Sequence, residues 1–251
     1  MKILLLDIET APHRVYAWGL WDQNISINQI EEPGYTICWA AQWYGEDNIM
    51  FSNIPKDGSK KMIEKIHKLI DQADAVVHYN GTRFDMPILN QEFITHGFLP
   101  PSPYKQIDLL KTARRQFKLP SNKLDYVARH LNIEGKMEHK GMELWRGCLN
   151  NDKQSWKEMQ EYNIQDIVVL RNVYDKLRPW VIGHPNHNLY EHSNERICPN
   201  CGGAHLHSRG TSKTSTMIYN RFQCQTCGSW SRERTNIVPK DKKETILVSD
   251  R

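Results

Sequence analysis

Long apolar runs are missing from this sequence of 251 residues, whose mean hydropathy is -0.66. No run approaches the ~18 residues that a membrane-spanning helix needs. Asp7 and Glu9 interrupt the N-terminal apolar segment that a signal peptide would continue. No segment recurs at a period of about 20 to 50 residues, which argues against a solenoid. We therefore expect a soluble, cytoplasmic protein.

The sequence also contains few cysteines and has a small net charge. Six cysteines are too few for a disulfide scaffold of this length, and four of them form two CxxC pairs, which favours metal binding. The formal net charge is only +4, yet residues 196–251 contain 10 Lys and Arg against 4 Asp and Glu. Such a concentrated positive region indicates a polyanion partner, although it can also serve solubility alone.

The rest of the sequence can build an apolar core, and its patterns alternate between strand and helix. The predicted elements are strands over Lys2–Ile8, Tyr35–Tyr44, Asn48–Ile54 and Ala75–Tyr79, and helices capped by Ser59, Asp85 and Ser121, over Ile107–Phe117 and over Ser155–Arg178. This order is typical of an α/β sheet with a crossover connection. We predict a large domain over 1–180, a linker over 181–196, a small domain over 197–235 and a flexible tail over 236–251.

Four acids and one tyrosine stand at positions that could form a site. Asp7 and Glu9 lie two apart on a strand and so project from the same face. Asp85 follows a strand, and Asp166 follows Tyr162 by about one helical turn. Each segment alone has an ordinary explanation, namely a strand end, a helix cap or a pair on a helix surface.

Taken together, the segments DIET, NGTRFD and YNIQD resemble the DxE, NxxxFD and YxxxD motifs of the DEDD, or DnaQ-like, 3′–5′ exonuclease superfamily. The resemblance covers roughly residues 1–180. Glu161 stands where the histidine variant has His, and Tyr162 matches the tyrosine variant, the DEDDy branch, which includes polymerase proofreading domains. The resemblance implies a ribonuclease H-like fold, a mixed sheet flanked by helices.

The same resemblance implies phosphodiester hydrolysis with two divalent ions, Mg²⁺ or Mn²⁺, which prefer carboxylate oxygens. Asp7, Glu9 and Asp166 would hold the metal that binds the attacking water. Asp7 would also bridge to the second metal, which Asp85 would support through water.

Three further residues complete the predicted site. Tyr162 would orient the attacking water, while Asn80 and Phe84 would surround the terminal nucleotide. Asp108 could cap a helix or lie near the site, and the cap is favoured.

The two CxxC pairs, Cys198/Cys201 and Cys224/Cys227, are separated by 22 residues and resemble a zinc ribbon with one structural Zn²⁺. Basic and aromatic residues are interleaved around them, which suits nucleic acid. These are Arg209, Lys213, Tyr219, Arg221, Phe222, Trp230, Arg232 and Arg234. Docking of a protein is the competing interpretation.

The resemblance predicts a stand-alone exonuclease that hydrolyses DNA, with single-stranded 3′ ends favoured. DNA is expected as the partner ahead of RNA, and no membrane is expected. An exoribonuclease of the same mechanism is the first alternative. A non-catalytic nucleic-acid-binding adaptor is the second, and the intact acids argue against it.

Overall fold

The computed structural model describes residues 1–135, 140–191 and 194–250. Its strands are β1 (Ile3–Thr10), β2 (Arg14–Val15), β3 (Ile30–Glu32), β4 (Thr36–Trp43), β5 (Ile49–Asn53), β6 (Ala75–His78), β7 (Lys105–Asp108), β8 (Leu206–Lys213), β9 (Ile218–Cys224) and β10 (Trp230–Arg232). Its helices are α1 (Ile54–Asp57), α2 (Ser59–Asp71), α3 (Asp85–Thr95), α4 (Leu109–Gln116), α5 (Leu124–His130), α6 (Met142–Leu149), α7 (Lys153–Leu177) and α8 (Lys240–Glu244). The chain divides into two compact units, Lys2–Tyr174 and one from Asp175 onward.

The first unit contains a five-stranded sheet in the order β5-β4-β1-β6-β7. β4 pairs antiparallel with β1 and with β5, whereas β6 pairs parallel with β1 and with β7. Helices follow or connect these strands. The predicted α/β fold with a mixed sheet flanked by helices is therefore confirmed.

The central position of β1 follows from its composition. Leu4, Leu5 and Leu6 are completely buried, and the strand is paired along both edges. Burying a leucine side chain contributes ~1.5–3 kcal/mol to stability. Ile63 and Ile66 of α2 belong to the same buried cluster as Leu4 and Leu6. The backbone that carries Asp7 and Glu9 is thus anchored by the core.

The helix caps predicted at Ser59 and Ser121 are wrong. Gly58 precedes α2 as its N-cap with φ of 73°, and Ser59 is the first helical residue. The left-handed turn at this glycine closes α1 and opens α2, so no side-chain cap is used. Ser121 also lies too early, because Lys123 is the N-cap of α5. The Ser121 hydroxyl instead accepts a hydrogen bond from the Lys123 N–H within the preceding turn.

The helix predicted over Ile107–Phe117 begins late. Lys105–Asp108 forms the edge strand β7, and α4 starts only at Leu109. Pairing with β6 overrides the helical pattern of these residues. The short helix α6 lies in a polar segment, residues 134–152, for which the sequence predicted no element.

A two-stranded hairpin of β2 and β3 was not predicted either. Arg14 pairs with Glu31 and Glu32, each at 3.1 Å. The segment that connects β2 and β3 exposes Trp18 and Trp21. Its sequence lacks the alternation of apolar and polar residues that marks a strand.

The second unit contains an antiparallel sheet in the order β10-β9-β8. A short 3₁₀ turn at His187–Leu189 lies in the predicted linker, and α8 lies in the predicted tail. Residues 192–193 of that linker and 251 of that tail lie outside the described residues. The domain limits drawn from the sequence stay predictions. Across the described ranges, no helix combines the length and apolarity needed to cross a membrane.

Candidate functional site

Three acids from two distant segments come together at the end of β1. Asp7 and Glu9 project from β1, and Asp166 projects from α7. One carboxylate oxygen from each lies within 4.8 Å of the other two. The two-residue spacing on the strand places Asp7 and Glu9 on one face, as the sequence predicts.

The long helix α7 supplies the C-terminal part of this cluster. Asp166 is 1% exposed, and Tyr162, four residues earlier, is 7% exposed. Residues four apart share a helix face, so the hydroxyl and the carboxylate project from the same side of α7. The Tyr162 ring meets the Trp145 ring edge to face, with centroids 6.2 Å apart. This contact and its burial hold the tyrosine ring in place.

Asp85 reaches the site from another direction. The parallel pairing of β1 with β6 ends at Leu5 and Val77, and farther along β1 the Ile8 N–H donates to Asp85 Oδ1 at 3.2 Å. Ile8 lies between Asp7 and Glu9. The prediction that Asp85 caps α3 is wrong, because Phe84 is the N-cap and makes no side-chain cap bond. The carboxylate is turned toward β1 instead.

Asp108 secures the loop between β6 and α3. Its carboxylate accepts the Leu110 N–H at 3.1 Å, so it is the N-cap of α4, as predicted. It also accepts the N–H groups of Asn80 at 3.0 Å and Thr82 at 3.4 Å. Asn80 has φ of 69°, a conformation that costs energy for a residue other than glycine. Asp108 therefore holds the segment that leads to Phe84 and Asp85.

The predicted substrate residues lie on this loop. Asn80 lines a cavity of about 520 Å³ whose wall includes Tyr79, Arg114 and Lys123. Phe84 is 42% exposed, although aromatic rings are usually buried. The loop thus offers an amide and an exposed ring, and Arg114 of α4 and Lys123 at the start of α5 add two cations to the wall of the cavity.

Asn163 is a site residue that the sequence analysis missed. It is completely buried, and its side-chain amide donates to Asp7. The sequence contains a usable signal, because Asn163 stands three residues before Asp166 and so shares its helix face. A buried amide on the same face as a proposed metal ligand is a candidate for orienting a second ligand.

The acidic cluster fits a hard divalent cation. Three carboxylates within 4.8 Å repel one another, and burial of Asp166 strengthens that repulsion. All three donors are oxygen, which suits Mg²⁺ or Mn²⁺ better than softer ions. Asp85 is not a member of this group of three, and its contact is with the β1 backbone beside it.

A second candidate metal site lies in the C-terminal unit. The Sγ atoms of Cys198, Cys201, Cys224 and Cys227 all lie within 4.8 Å of one another. Two of the separations, Cys198 to Cys227 and Cys201 to Cys224, are 3.6 Å. Tetrahedral ligands about 2.3 Å from zinc are roughly 3.8 Å apart, so the cluster fits one Zn²⁺ without rearrangement.

Glycines and backbone amides shape both cysteine turns. Gly202 and Gly228 follow their CxxC pairs with φ of 74° and 82°, the left-handed region that favours glycine. Burial raises the pKa of Cys201 above its ordinary value. Burial also acts to raise the pKa of Cys224, but backbone N–H groups and neighbouring thiols outweigh it and lower that pKa to about 7. A thiolate is therefore accessible near neutral pH, as zinc binding requires.

Comparison with known proteins agrees with the fold of the first unit. A structure of the family B DNA polymerase from the hyperthermophilic archaeon Pyrobaculum calidifontis matches 71% of this chain with a TM-score of 0.53 and 16% identity. The match covers 24% of the polymerase, so this chain corresponds to about a quarter of its length and shares a fold with that part. A comparison with curated proteins gives no significant match. The sequence model of the RNase_H superfamily matches residues 4–178, and the chain belongs to that superfamily.

Proposed function

We propose that this protein is a metal-dependent 3′–5′ exonuclease that hydrolyses DNA from single-stranded 3′ ends. The observation that carries the proposal is the convergence of the Asp7, Glu9 and Asp166 carboxylates within 4.8 Å. Membership of the RNase_H superfamily implies a nucleic-acid substrate. The resemblance of the three motifs to the DEDDy branch supports the exonuclease activity and its polarity.

The proposed cofactors are two Mg²⁺ or Mn²⁺ ions. Asp7, Glu9 and Asp166 would hold the first, Asp7 would bridge to the second, and Asp85 would support that one through water. Such ions supply a hydroxide at neutral pH and stabilise the charge that develops on the phosphate and the leaving oxygen. The chain's own contribution is to bring together four carboxylates that repel one another.

Tyr162 is proposed to orient the attacking water. A phenol is a poor base at neutral pH but a good hydrogen-bond donor and acceptor. The ring is nearly buried against Trp145, so the hydroxyl has little freedom to move away from the acids. Loss of that single hydrogen bond should slow the reaction without abolishing it.

The proposed substrate contacts support the proposed preference for a single strand. Phe84 is exposed beside Asp85 and can stack on an unstacked base. Arg114 and Lys123 line the cavity beside Asn80 and can neutralise phosphates. DNA is proposed as the substrate ahead of RNA through the polymerase resemblance. Action without an attached polymerase stays a prediction.

The Cys198, Cys201, Cys224 and Cys227 cluster is proposed to hold one structural Zn²⁺. A closed shell of four thiolates leaves no open position for a substrate or water. The proposed zinc therefore stabilises the fold of the second unit and takes no part in hydrolysis.

An assay on labelled oligonucleotides tests the proposal. The substrates are 5′-labelled single-stranded DNA, duplex DNA and RNA, each with Mg²⁺, Mn²⁺ or no divalent ion. We expect a ladder that shortens from the 3′ end of single-stranded DNA, only with metal, and arrest at a 3′-terminal phosphorothioate. The Asp166→Ala protein is the control for contaminating nuclease. Internal cuts without end dependence would overturn the exonuclease assignment, and faster loss of RNA would favour an exoribonuclease.

A further inference from the structure

One face of the C-terminal sheet carries alternating arginine and aromatic side chains. Trp230 pairs with Gln223 and Arg232 pairs with Arg221 across β9 and β10. Directly paired residues project from the same face of a sheet, and so do residues two apart along a strand. We call the face formed by Tyr219, Arg221, Trp230 and Arg232 the arginine face.

The two arginines of this face are each laid over an aromatic ring. The Arg221 guanidinium lies 4.7 Å from the centroid of the Trp230 ring, and the Arg232 guanidinium lies 4.0 Å from that of Tyr219. Arg221 also donates from Nε and Nη2 to the Arg209 carbonyl, at 3.1 and 3.0 Å. These contacts fix the guanidinium groups before any partner arrives, which reduces the entropy lost on binding.

The charge of the arginine face is not compensated by any carboxylate of the described residues. Arg221 and Arg232 stand directly opposite each other, an arrangement that destabilises a sheet when the charges are alike. Among the described residues, no carboxylate lies within ion-pairing distance of either one. Glu233 pairs with Arg196 instead, at 2.6 Å. An anion between the two guanidinium groups would remove this repulsion.

The exposure of the face fits bases as well as phosphates. Trp230 is 53% exposed and Arg232 is exposed, at the edge strand of the sheet. An indole ring and guanidinium planes are surfaces on which unstacked bases lie, and this stacking needs no particular sequence. A duplex keeps its bases inside the stack and could use only the charges. Arginine and aromatic residues are also enriched in protein interfaces, so the choice of nucleic acid rests on the two like-charged guanidinium groups and the stacking surfaces.

We propose that the arginine face binds single-stranded nucleic acid, with bases on Trp230 and the guanidinium planes and phosphates between Arg221 and Arg232. The net charge of +6 over residues 196–251 supports the same partner. This surface lies apart in the sequence from the acids of the proposed nuclease site. It binds substrate whether or not the nuclease site is active.

The test measures binding in the absence of hydrolysis. The full-length Asp7→Ala protein serves as the background, and the probe is a fluorescently labelled single-stranded oligothymidylate followed by anisotropy over a range of salt concentrations. Trp230→Ala and Arg232→Ala should each weaken binding about tenfold. Arg232→Ala should also reduce the slope of log affinity against log salt by about 0.7, the value for one phosphate contact on a single strand.

Lys240→Ala is the matched control, because it removes one positive charge from the same unit but lies on α8. It should leave affinity within about twofold of the background, because it removes a charge but no guanidinium group or ring of the arginine face. Zinc content confirms that each variant keeps its fold. Unchanged affinity in both face variants, or an equal loss in the Lys240 control, overturns the inference. Unchanged oligonucleotide affinity in Trp230→Ala and Arg232→Ala would favour a protein as the partner of the arginine face. Because no hydrolysis is measured, failure of the nuclease proposal does not alter the result.

Discussion

Asn163 donates a hydrogen bond from its side-chain amide to Oδ2 of Asp7 at 2.7 Å, joining α7 to β1 across 156 residues of sequence. The other side of the amide faces the buried Cys38 thiol, with Oδ1 3.9 Å from Sγ. Asn163 and Cys38 are completely buried, and Asp7 is partly buried. The amide therefore sets the rotation of the Asp7 carboxylate, which is proposed to bridge two metals.

Replacement of Asn163 by Ala should weaken metal binding without removing a ligand. Partners that orient metal ligands typically contribute about 10–100-fold in metal affinity or activity. We expect the Mg²⁺ concentration for half-maximal hydrolysis to rise by that factor, with a smaller change in the rate at saturating metal. Gln160→Ala, exposed on the same helix, is the control. An unchanged Mg²⁺ requirement would show that Asn163 only fills space.

The ligands themselves should be indispensable. Asp7→Ala and Asp166→Ala should each lower the hydrolysis rate by more than about a thousandfold, because no other group lowers the pKa of the attacking water. Circular dichroism should remain that of the parent protein. Glu161→Ala on the outer side of α7, where Glu161 faces Lys157 at 3.9 Å, should keep full activity. Residual rates within tenfold of the parent would falsify the metal-ligand assignment.

Tyr162→Phe should have a milder effect than loss of a ligand. The variant keeps the ring contact with Trp145 and removes only the hydroxyl, so one hydrogen bond to water is lost. A decrease in kcat of about 10- to 100-fold with little change in KM is expected, measured on a short single-stranded substrate. A loss as complete as that of Asp166→Ala would mean that the hydroxyl does more than orient water.

The sequence predicted which candidate residues share a face better than it predicted the elements around them. The spacing of Asp7 and Glu9 on a strand, and of Tyr162 and Asp166 on a helix, fixes which faces they share, and the structure brings three of the acids together. The contact between Asp85 and Ile8 depends on the residue at which the pairing of β6 with β1 ends. No local sequence pattern predicts that residue. The same holds for β7, whose strand conformation comes from its pairing with β6.

Buried His78 should make the stability of the first unit sensitive to acid. Burial lowers the pKa of His78, while the nearby Asp108 carboxylate and Gln106 raise it and Lys111 lowers it further. The unfolded chain therefore takes up the proton first. The stability linked to His78 is complete above its ordinary pKa of about 6.5 and is lost as pH falls through the folded-state value.

Urea unfolding at pH 7.5 and pH 5.5 measures this effect. The parent protein should lose free energy of unfolding between the two conditions, and His78→Gln should lose less, because glutamine does not titrate. The difference between the two slopes isolates His78 from histidines elsewhere in the chain. Parallel slopes would mean that the pKa of His78 is the same in the folded and the unfolded protein.

The last prediction concerns the four cysteines. Purified protein should contain one zinc per chain, and Cys224→Ser should lose it, because three thiolates bind the ion far less tightly than a closed shell. A segment of ~50 residues buries too little apolar surface to fold alone, so loss of metal should unfold the second unit. Limited proteolysis should then cut residues 197–235 while the catalytic unit survives. Cleavage of a trinucleotide should continue, since the proposed catalytic acids lie in Lys2–Tyr174.

The control is Gln225→Ser, in the same turn but without a thiol, which should keep both zinc and protease resistance. Full zinc occupancy in the Cys224 variant would exclude this cysteine as a ligand, and loss of trinucleotide cleavage would show that catalysis depends on the zinc unit.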